Sequence, residues 1–274
     1  MAKILVLDIE TAPMKAAIWG MWQQNISVKM MEEAGYILCW SAKWLGDPHI
    51  YYEDGRVRPA NYEEDGRAGT DKGDEHALLS KLIPLLDGAD MVVGHNLIKF
   101  DMPKIRGRCL VHGLPLPSPY KEIDTCRAAR REFGFESNSL EFLCNVLKVD
   151  HRKSDHPEFP GYKLWDGCIN GNREAWKAMK EYNIEDIKTT EDVYIAMRPY
   201  MTQHPNVGVF TDNDDPTCPK CGSTDVNHNK TKWAYTNIGK YKRYRCNSCG
   251  GWARGRSIIG SPASREHILV NQVN

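Results

Sequence analysis

MAKILVLDIETAP, residues 1–13, sets the terms on which the rest of the chain is read. Ile4, Leu5, Val6 and Leu7 form an apolar run that predicts a short buried strand. The strand ends by placing two carboxylates, Asp8 and Glu10, one residue apart. Residues i and i+2 of a strand face the same side, so two like charges stand together at the edge of a core while Ile9 points the other way. That pairing is unfavourable unless something positive lies between the two. Either the stretch is a solvated strand end or it is half of a metal site, and residues far along the chain have to decide between them.

Length and composition narrow the field. A chain of 274 residues has room for one substantial core and a small appendage. With 26% charged and 41% hydrophobic residues it reads as a globular protein. No uninterrupted apolar run reaches membrane-spanning length and no secretory leader is visible, so no membrane partner is expected and the expected location is the reducing cytoplasm. The net charge of zero conceals an asymmetry: residues 216–274 hold ten Lys or Arg against two Asp or Glu. A basic tail on an acidic body suggests nucleic acid at one end and cations at the other. Cys39, Cys109, Cys126, Cys144 and Cys168 are scattered through apolar or mixed segments and read as reduced, packed residues.

The first two hundred residues alternate strands with helices. YILCWSAKWL (residues 36–45) and HIYY (residues 49–52) flank a Gly-Asp-Pro turn and predict a hairpin. Residues 54–74, with five Gly or Pro and many charges, read as an exposed loop. Helices are predicted over residues 74–86, 102–112, 124–133, 139–147 and 173–197, with a short buried strand at MVVGHN, residues 91–96. The pattern predicts an α/β fold, a sheet with helices packed on it. Residues 201–215 are the best linker candidate, ending in TDNDD before Pro216.

Further acidic positions complete the constellation. Asp101 follows the predicted strand in GHNLIKFD, and Tyr182 and Asp186 lie four apart on a predicted helix, hence on one face. Each has a plain alternative: Asp101 as a helix N-cap, Tyr182 as a half-buried aromatic, Asp186 as a solvated charge. Taken with Asp8 and Glu10, however, the order is D-x-E, then N-x4-D beginning at Asn96, then Y-x3-D. In that order the motifs resemble those of the DEDD superfamily of ribonuclease-H-like 3′–5′ exonucleases, in its DEDDy branch, over roughly residues 3–200. No His lies between Pro157 and Thr202, which disfavours the sister branch that uses a His before its last Asp.

The resemblance implies a ribonuclease-H-like mixed sheet flanked by helices, and with it a two-metal phosphodiester hydrolase. Two divalent ions about 3.5–4 Å apart activate water and steady the leaving oxygen, and hard Mg2+ or Mn2+ takes carboxylate oxygens rather than Cys or His. On this reading Asp8 bridges both ions, Glu10 and Asp186 help hold the first, and Asp101 reaches the second directly or through water. Tyr182 would orient the attacking water. Thr11 and Asn96 would line the terminal nucleotide, and His95 is read as packing or substrate-lining.

The tail carries a separate signal. CPKC (Cys218, Cys221) and CNSC (Cys246, Cys249) are paired C-x2-C motifs separated by 24 residues, the spacing of a structural Zn2+ site with four thiolates. In so short a segment the metal would supply most of the folding energy. Residues 216–256 resemble a zinc ribbon, with TKWAYTNI and KYKRYRC as its strands and residues 257–274 left as a tail. Lys230, Lys232, Lys240, Lys242, Arg243 and Arg245 interleave with Trp233, Tyr235, Tyr241 and Tyr244, a composition suited to single-stranded nucleic acid. A small aromatic core under solubilising charges, or a protein-binding ribbon, is the alternative.

The expectation is therefore a metal-dependent 3′–5′ exonuclease domain over residues 1–200, a linker over 201–215 and a four-cysteine ribbon. Its expected partner is nucleic acid, DNA ahead of RNA, and a polymerase or other replication or repair protein is a second candidate. The chain is too short for a polymerase palm and fingers, so a stand-alone nuclease or a subunit acting in trans is expected. An exoribonuclease, or a non-catalytic nucleic-acid-binding adaptor, is the competing reading.

Overall fold

The computed structural model describes residues 2–22, 24–56, 74–152, 156–212 and 214–270. These form two compact units, Lys3–Tyr194 and a second running from Ile195 onward.

The N-terminal unit is built on β1 (Ile4–Thr11). A two-stranded ribbon, β2 (Lys15–Ala16) with β3 (Met31–Glu33), separates it from β4 (Ile37–Trp44) and β5 (Ile50–Asp54). Helix α1 (Glu75–Asp87), β6 (Met91–Gly94), α2 (Asp101–Val111) and β7 (Lys121–Asp124) follow. The five strands lie in the order β5-β4-β1-β6-β7. The β4 and β5 hairpin runs antiparallel to β1, whereas β6 and β7 run parallel to it. The fold is thus an α/β mixed sheet flanked by helices, as the sequence pattern and the family resemblance together predict. As the central strand, β1 is covered on both faces, and Leu5, Val6 and Leu7 are fully buried.

Strand alternation sorts β1 into two cores. Leu5, Leu7 and Ile9 pack with Trp40, Leu79, Leu82 and Met102 under α1 and α2. On the other side Leu38 and Cys39 pack with Leu164, Cys168, Trp176 and Met179, which come from α5 (Lys163–Ile169) and α6 (Arg173–Met197). Between the two helical sides of the sequence come α3 (Thr125–Glu132) and α4 (Leu140–Leu147). Ile9 therefore enters the first core, and the alternate residues Asp8 and Glu10 face the second.

Helix α6 is the element that brings chemistry to that face. Asn172 starts it by accepting the N–H groups of Glu174 at 2.9 Å and Ala175 at 3.2 Å, a capping arrangement. Its inward stripe is polar as well as apolar: Asn183, Thr189, Thr190, Asp186 and Glu191 are buried beside Ile187 and Val193. Glu191 pairs with the buried Lys43 of β4 and accepts the Gly46 N–H at 2.8 Å, which fixes the helix against the sheet.

The second unit holds short 3₁₀ turns at Arg198–Tyr200 and Val207–Phe210, then β8 (Val226–Thr236), β9 (Gly239–Cys246), β10 (Trp252–Ile258) and α7 (Pro262–Glu266). Its antiparallel sheet has the order β10-β9-β8. Met201 and Val207 are buried, and the Val207 N–H donates to the Pro219 carbonyl at 2.9 Å.

Several elements were not foreseen. Strand β7 and helix α5 are too short to show a periodicity, and β10 and α7 lie in segments without an apolar repeat. The predicted loop over residues 54–74 lies largely outside the described residues. At its start, however, Asp54 closes β5 and is buried, held by Arg56 at 2.6 Å, so the exposed reading is corrected there.

Candidate active site

Carboxylate oxygens of Asp8, Glu10 and Asp186 all lie within 4.8 Å of one another. Two come from one face of β1 and the third from the inward stripe of α6. All three line a cavity of about 510 Å³ together with Asp101, Tyr182, Asn96 and His95. Thr11 is partly buried at the end of β1 opposite Ile37 and is not among the lining residues.

Asp101 is not the N-cap of α2. Phe100 takes that position, and Asp101 is the first helical residue. Its buried carboxylate instead accepts the Ile9 N–H at 3.2 Å, joining α2 to the strand between the two β1 acids. Burial pushes the Asp101 carboxyl up to about 7; the Ile9 N–H opposes that rise and the charge of Asp124 adds to it. Tyr182 is buried against the edges of two rings, His156 at 4.6 Å and Trp165 at 5.9 Å. Burial, then the charges of Asp186, Glu10 and Asp8, hold its phenol well above the ordinary range, so it stays protonated at neutral pH.

The acids are aimed by residues that sequence reasoning missed. Asn183 is fully buried and its Nδ2 donates to Asp8 Oδ2 at 2.6 Å. Trp165 Nε1 donates to Glu10 Oε2 at 2.9 Å. Asn96 adopts a left-handed backbone, φ 66°, which Asn tolerates better than most residues. The Asp124 side chain holds that turn by accepting the N–H groups of Asn96 and Ile98, each at 3.1 Å, while capping α3 through Arg127 N–H at 2.9 Å. His95 Nδ1 is 2.9 Å from the Thr125 hydroxyl, which itself donates to the Gly94 carbonyl at 3.1 Å. Asn183 follows Tyr182 directly, and that adjacency was the available signal; Trp165 and Asp124 offered none, because their partners lie far away in sequence.

The donor set fits hard divalent cations. Oxygens around one Mg2+ at about 2.1 Å can be about 4.2 Å apart across an octahedron, which is compatible with carboxylate oxygens that all lie within 4.8 Å of one another. Three carboxylates crowded this closely repel one another, and a cation between them would offset that repulsion.

The second unit contains another cluster. The sulfurs of Cys218, Cys221, Cys246 and Cys249 lie within 4.8 Å of one another, with Cys218–Cys249 at 3.7 Å and Cys221–Cys246 at 3.6 Å. A tetrahedral thiolate cage with Zn–S about 2.3 Å has sulfur–sulfur edges of about 3.8 Å, so these four could hold Zn2+. Both motifs turn alike. Gly222 and Gly250 follow the second cysteine of each pair at φ 76° and 77°, and donate to the Cys218 and Cys246 carbonyls, both at 3.0 Å. A residue with a Cβ is strained at that φ, so each motif is C-x2-C-G. Burial opposes ionisation of Cys246, but hydrogen bonds from Cys249 N–H, the Cys221 thiol and Ser248 N–H outweigh it and lower the thiol to about 7. The other five cysteines are free and buried.

Among the described residues no helix is long and apolar enough to cross a membrane. The family model of the RNase_H superfamily matches residues 61–198, a span that includes Asn96, Asp101, Tyr182 and Asp186 but begins beyond β1. No curated protein matches the chain. Among solved structures, the chain is similar to the family B DNA polymerase from the hyperthermophilic archaeon Pyrobaculum calidifontis, with 13% sequence identity and a TM-score of 0.52. The likeness covers 73% of this chain and 25% of the polymerase, and at that identity it speaks for the fold alone. With half of its residues matched by the family model, the chain belongs to the RNase_H superfamily.

Proposed function

We propose that the protein is a metal-dependent nuclease that removes nucleotides from the 3′ end of DNA. The observation that carries this reading is the meeting of Asp8, Glu10 and Asp186 within 4.8 Å in a cavity shared with Asp101 and Tyr182. Membership of the RNase_H superfamily supports a nuclease, and the order D-x-E, N-x4-D, Y-x3-D supports the 3′–5′ direction.

Asp8, Glu10, Asp186 and Asp101 would hold two Mg2+ or Mn2+ ions. When bound, such ions lower the pKa of water and offset charge developing on the phosphate oxygens. Tyr182, kept protonated, acts through its hydroxyl as an orienting group for water rather than as a base. Asn183 and Trp165 hold the Asp8 and Glu10 carboxylates in register. Cys218, Cys221, Cys246 and Cys249 would hold one structural Zn2+, and the ribbon they close would bind the strand through its cations and aromatic rings.

The test is incubation with 3′-end- and 5′-end-labelled single-stranded DNA and RNA, with Mg2+, with Mn2+ and without either. Metal-dependent shortening from the 3′ end, faster on DNA and abolished in the Asp8→Ala, Asp186→Ala double variant, is the expected result. Absence of shortening on both polymers sinks the catalytic reading, and shortening of RNA alone replaces the substrate.

A further inference from the structure

The register of the C-terminal sheet separates its side chains onto two faces. Asn227 stands opposite Arg245 and Arg245 opposite Trp252; two residues along, Asn229 stands opposite Arg243 and Arg243 opposite Arg254. Residues two apart on a strand share a face, so these three arginines, two asparagines and one tryptophan stand together. The Arg243 guanidinium carbon lies 4.4 Å from the Trp252 ring centre and that of Arg245 5.7 Å, while Arg254 lies 4.3 Å from the Tyr241 ring. Trp252 is still 48% exposed, so much of its indole is available to a ligand.

Asn227, Asn229, Asn247, Arg245 and Trp252 line a cavity of about 470 Å³ on this unit. Its amides have defined directions. The Asp225 carboxylate can only accept, and Asn247 Nδ2 donates to it at 2.6 Å. That turns Asn247 Oδ1 toward Asn227, whose Nδ2 donates to it at 3.0 Å. Among the described residues this leaves Asn227 Oδ1 as an acceptor for a ligand. Asn229 is set the other way: its Oδ1 already accepts from Thr231 N–H at 3.1 Å and Lys232 N–H at 3.0 Å, which leaves its NH2 as a donor.

An amide acceptor, an amide donor, a guanidinium fork and a half-exposed indole match the edge and the face of an unstacked base. Phosphate affinity requires only the cations; neither the Asn227 carbonyl nor the indole offers an anion anything. We propose that this cavity is a base-reading pocket that takes one unstacked nucleobase of a single-stranded nucleic acid, stacking it on Trp252 and reading its edge with Asn227, Asn229 and Arg245. The inference rests on the nucleic-acid reading proposed above and adds base selectivity to it.

The test uses the full-length protein without added Mg2+ or Mn2+, titrated with short fluorescent homo-oligonucleotides of each base, in DNA and RNA forms. The expected result is a spread in Kd of at least about fivefold between bases, the lower end of what one bidentate base contact supplies. The polymer bound more tightly identifies the source of the base. Asn227 is exposed, so Asn227→Ala leaves the core intact; it should shrink the spread below about twofold while the salt slope persists, since no cation is removed. Equal affinities for all bases, or a spread that survives Asn227→Ala, would overturn the pocket. The 3′-end shortening assay on the same preparations keeps the two claims apart. Shortening with equal affinities sinks the pocket alone, and Asn227-dependent selectivity without shortening sinks the catalytic reading alone.

Discussion

Asn183 Nδ2 lies 2.6 Å from Asp8 Oδ2, so the residue directly after Tyr182 holds the first acid of the site. This single contact couples the sheet to α6 at the point where the carboxylates meet. Because Asn183 is fully buried, the aim of Asp8 depends on how α6 is seated.

Replacing Asn183 with Ala should therefore weaken divalent-ion use without removing any carboxylate. Residues that orient metal ligands are worth about 10–100-fold in metal affinity or activity. The expected outcome is a Mn2+ activation curve displaced to higher concentration by a factor in that range. An unchanged curve would show that Asp8 keeps its aim without the amide.

Tyr182→Phe keeps the ring against His156 and Trp165 and removes only the hydroxyl. If the hydroxyl positions water, kcat should fall about 10–100-fold with little change in strand affinity. In the unaltered protein the phenol is held well above its usual value of about 10. A pH–rate profile through the alkaline range should then show no break from this residue up to about pH 10; a break that disappears in Tyr182→Phe would contradict a purely orienting role.

Glu75 supplies an acid-sensitive tie outside the site. Its buried carboxylate accepts the Ile37 N–H at 2.7 Å, Arg108 Nε at 2.9 Å and His112 Nε2 at 2.8 Å. Burial alone would raise its pKa, but the hydrogen bonds from Arg108, Ile37 and His112 outweigh burial and lower it. An acid with a lowered folded pKa contributes stability above its unfolded value of about 4.3, and that stability is lost as pH falls through the folded value. Urea midpoints of the unaltered protein should drop below about pH 4.3 more steeply than those of Glu75→Gln. At neutral pH that substitution should cost about 2–3 kcal/mol, because Arg108 loses its counter-charge.

Removal of the Zn2+ proposed for the four cysteines should unfold one unit and spare the other. The purified chain should contain about one zinc, and extraction with a chelator should expose the region after Ile195 to proteolysis. Residues 3–194, with two cores of their own, should resist. A metal-free chain equally resistant throughout would show that apolar packing suffices for the ribbon.

How much of this was legible beforehand can be traced residue by residue. Alternation in β1 is a local property of extended backbone, so the shared face of Asp8 and Glu10 and the inward turn of Ile9 followed from the letters alone. The four-residue interval from Tyr182 to Asp186 is likewise local to a helix, and C-x2-C pairs declare themselves by spacing. The Trp165 bond to Glu10 and the Asp124 grip on Asn96 could not be found in that way, and only its place beside Tyr182 pointed to Asn183, since each of these contacts reaches a partner brought near by sheet order and helix seating. The same holds for Trp252: TKWAYTNI and KYKRYRC read as strands, but only the register with β10 places Arg243 and Arg245 beside the indole. Periodicity along the chain determined which residues share a face. Packing across the chain decided which faces meet, because hydrogen-bond register and side-chain fit between distant segments leave no repeat in either segment by itself.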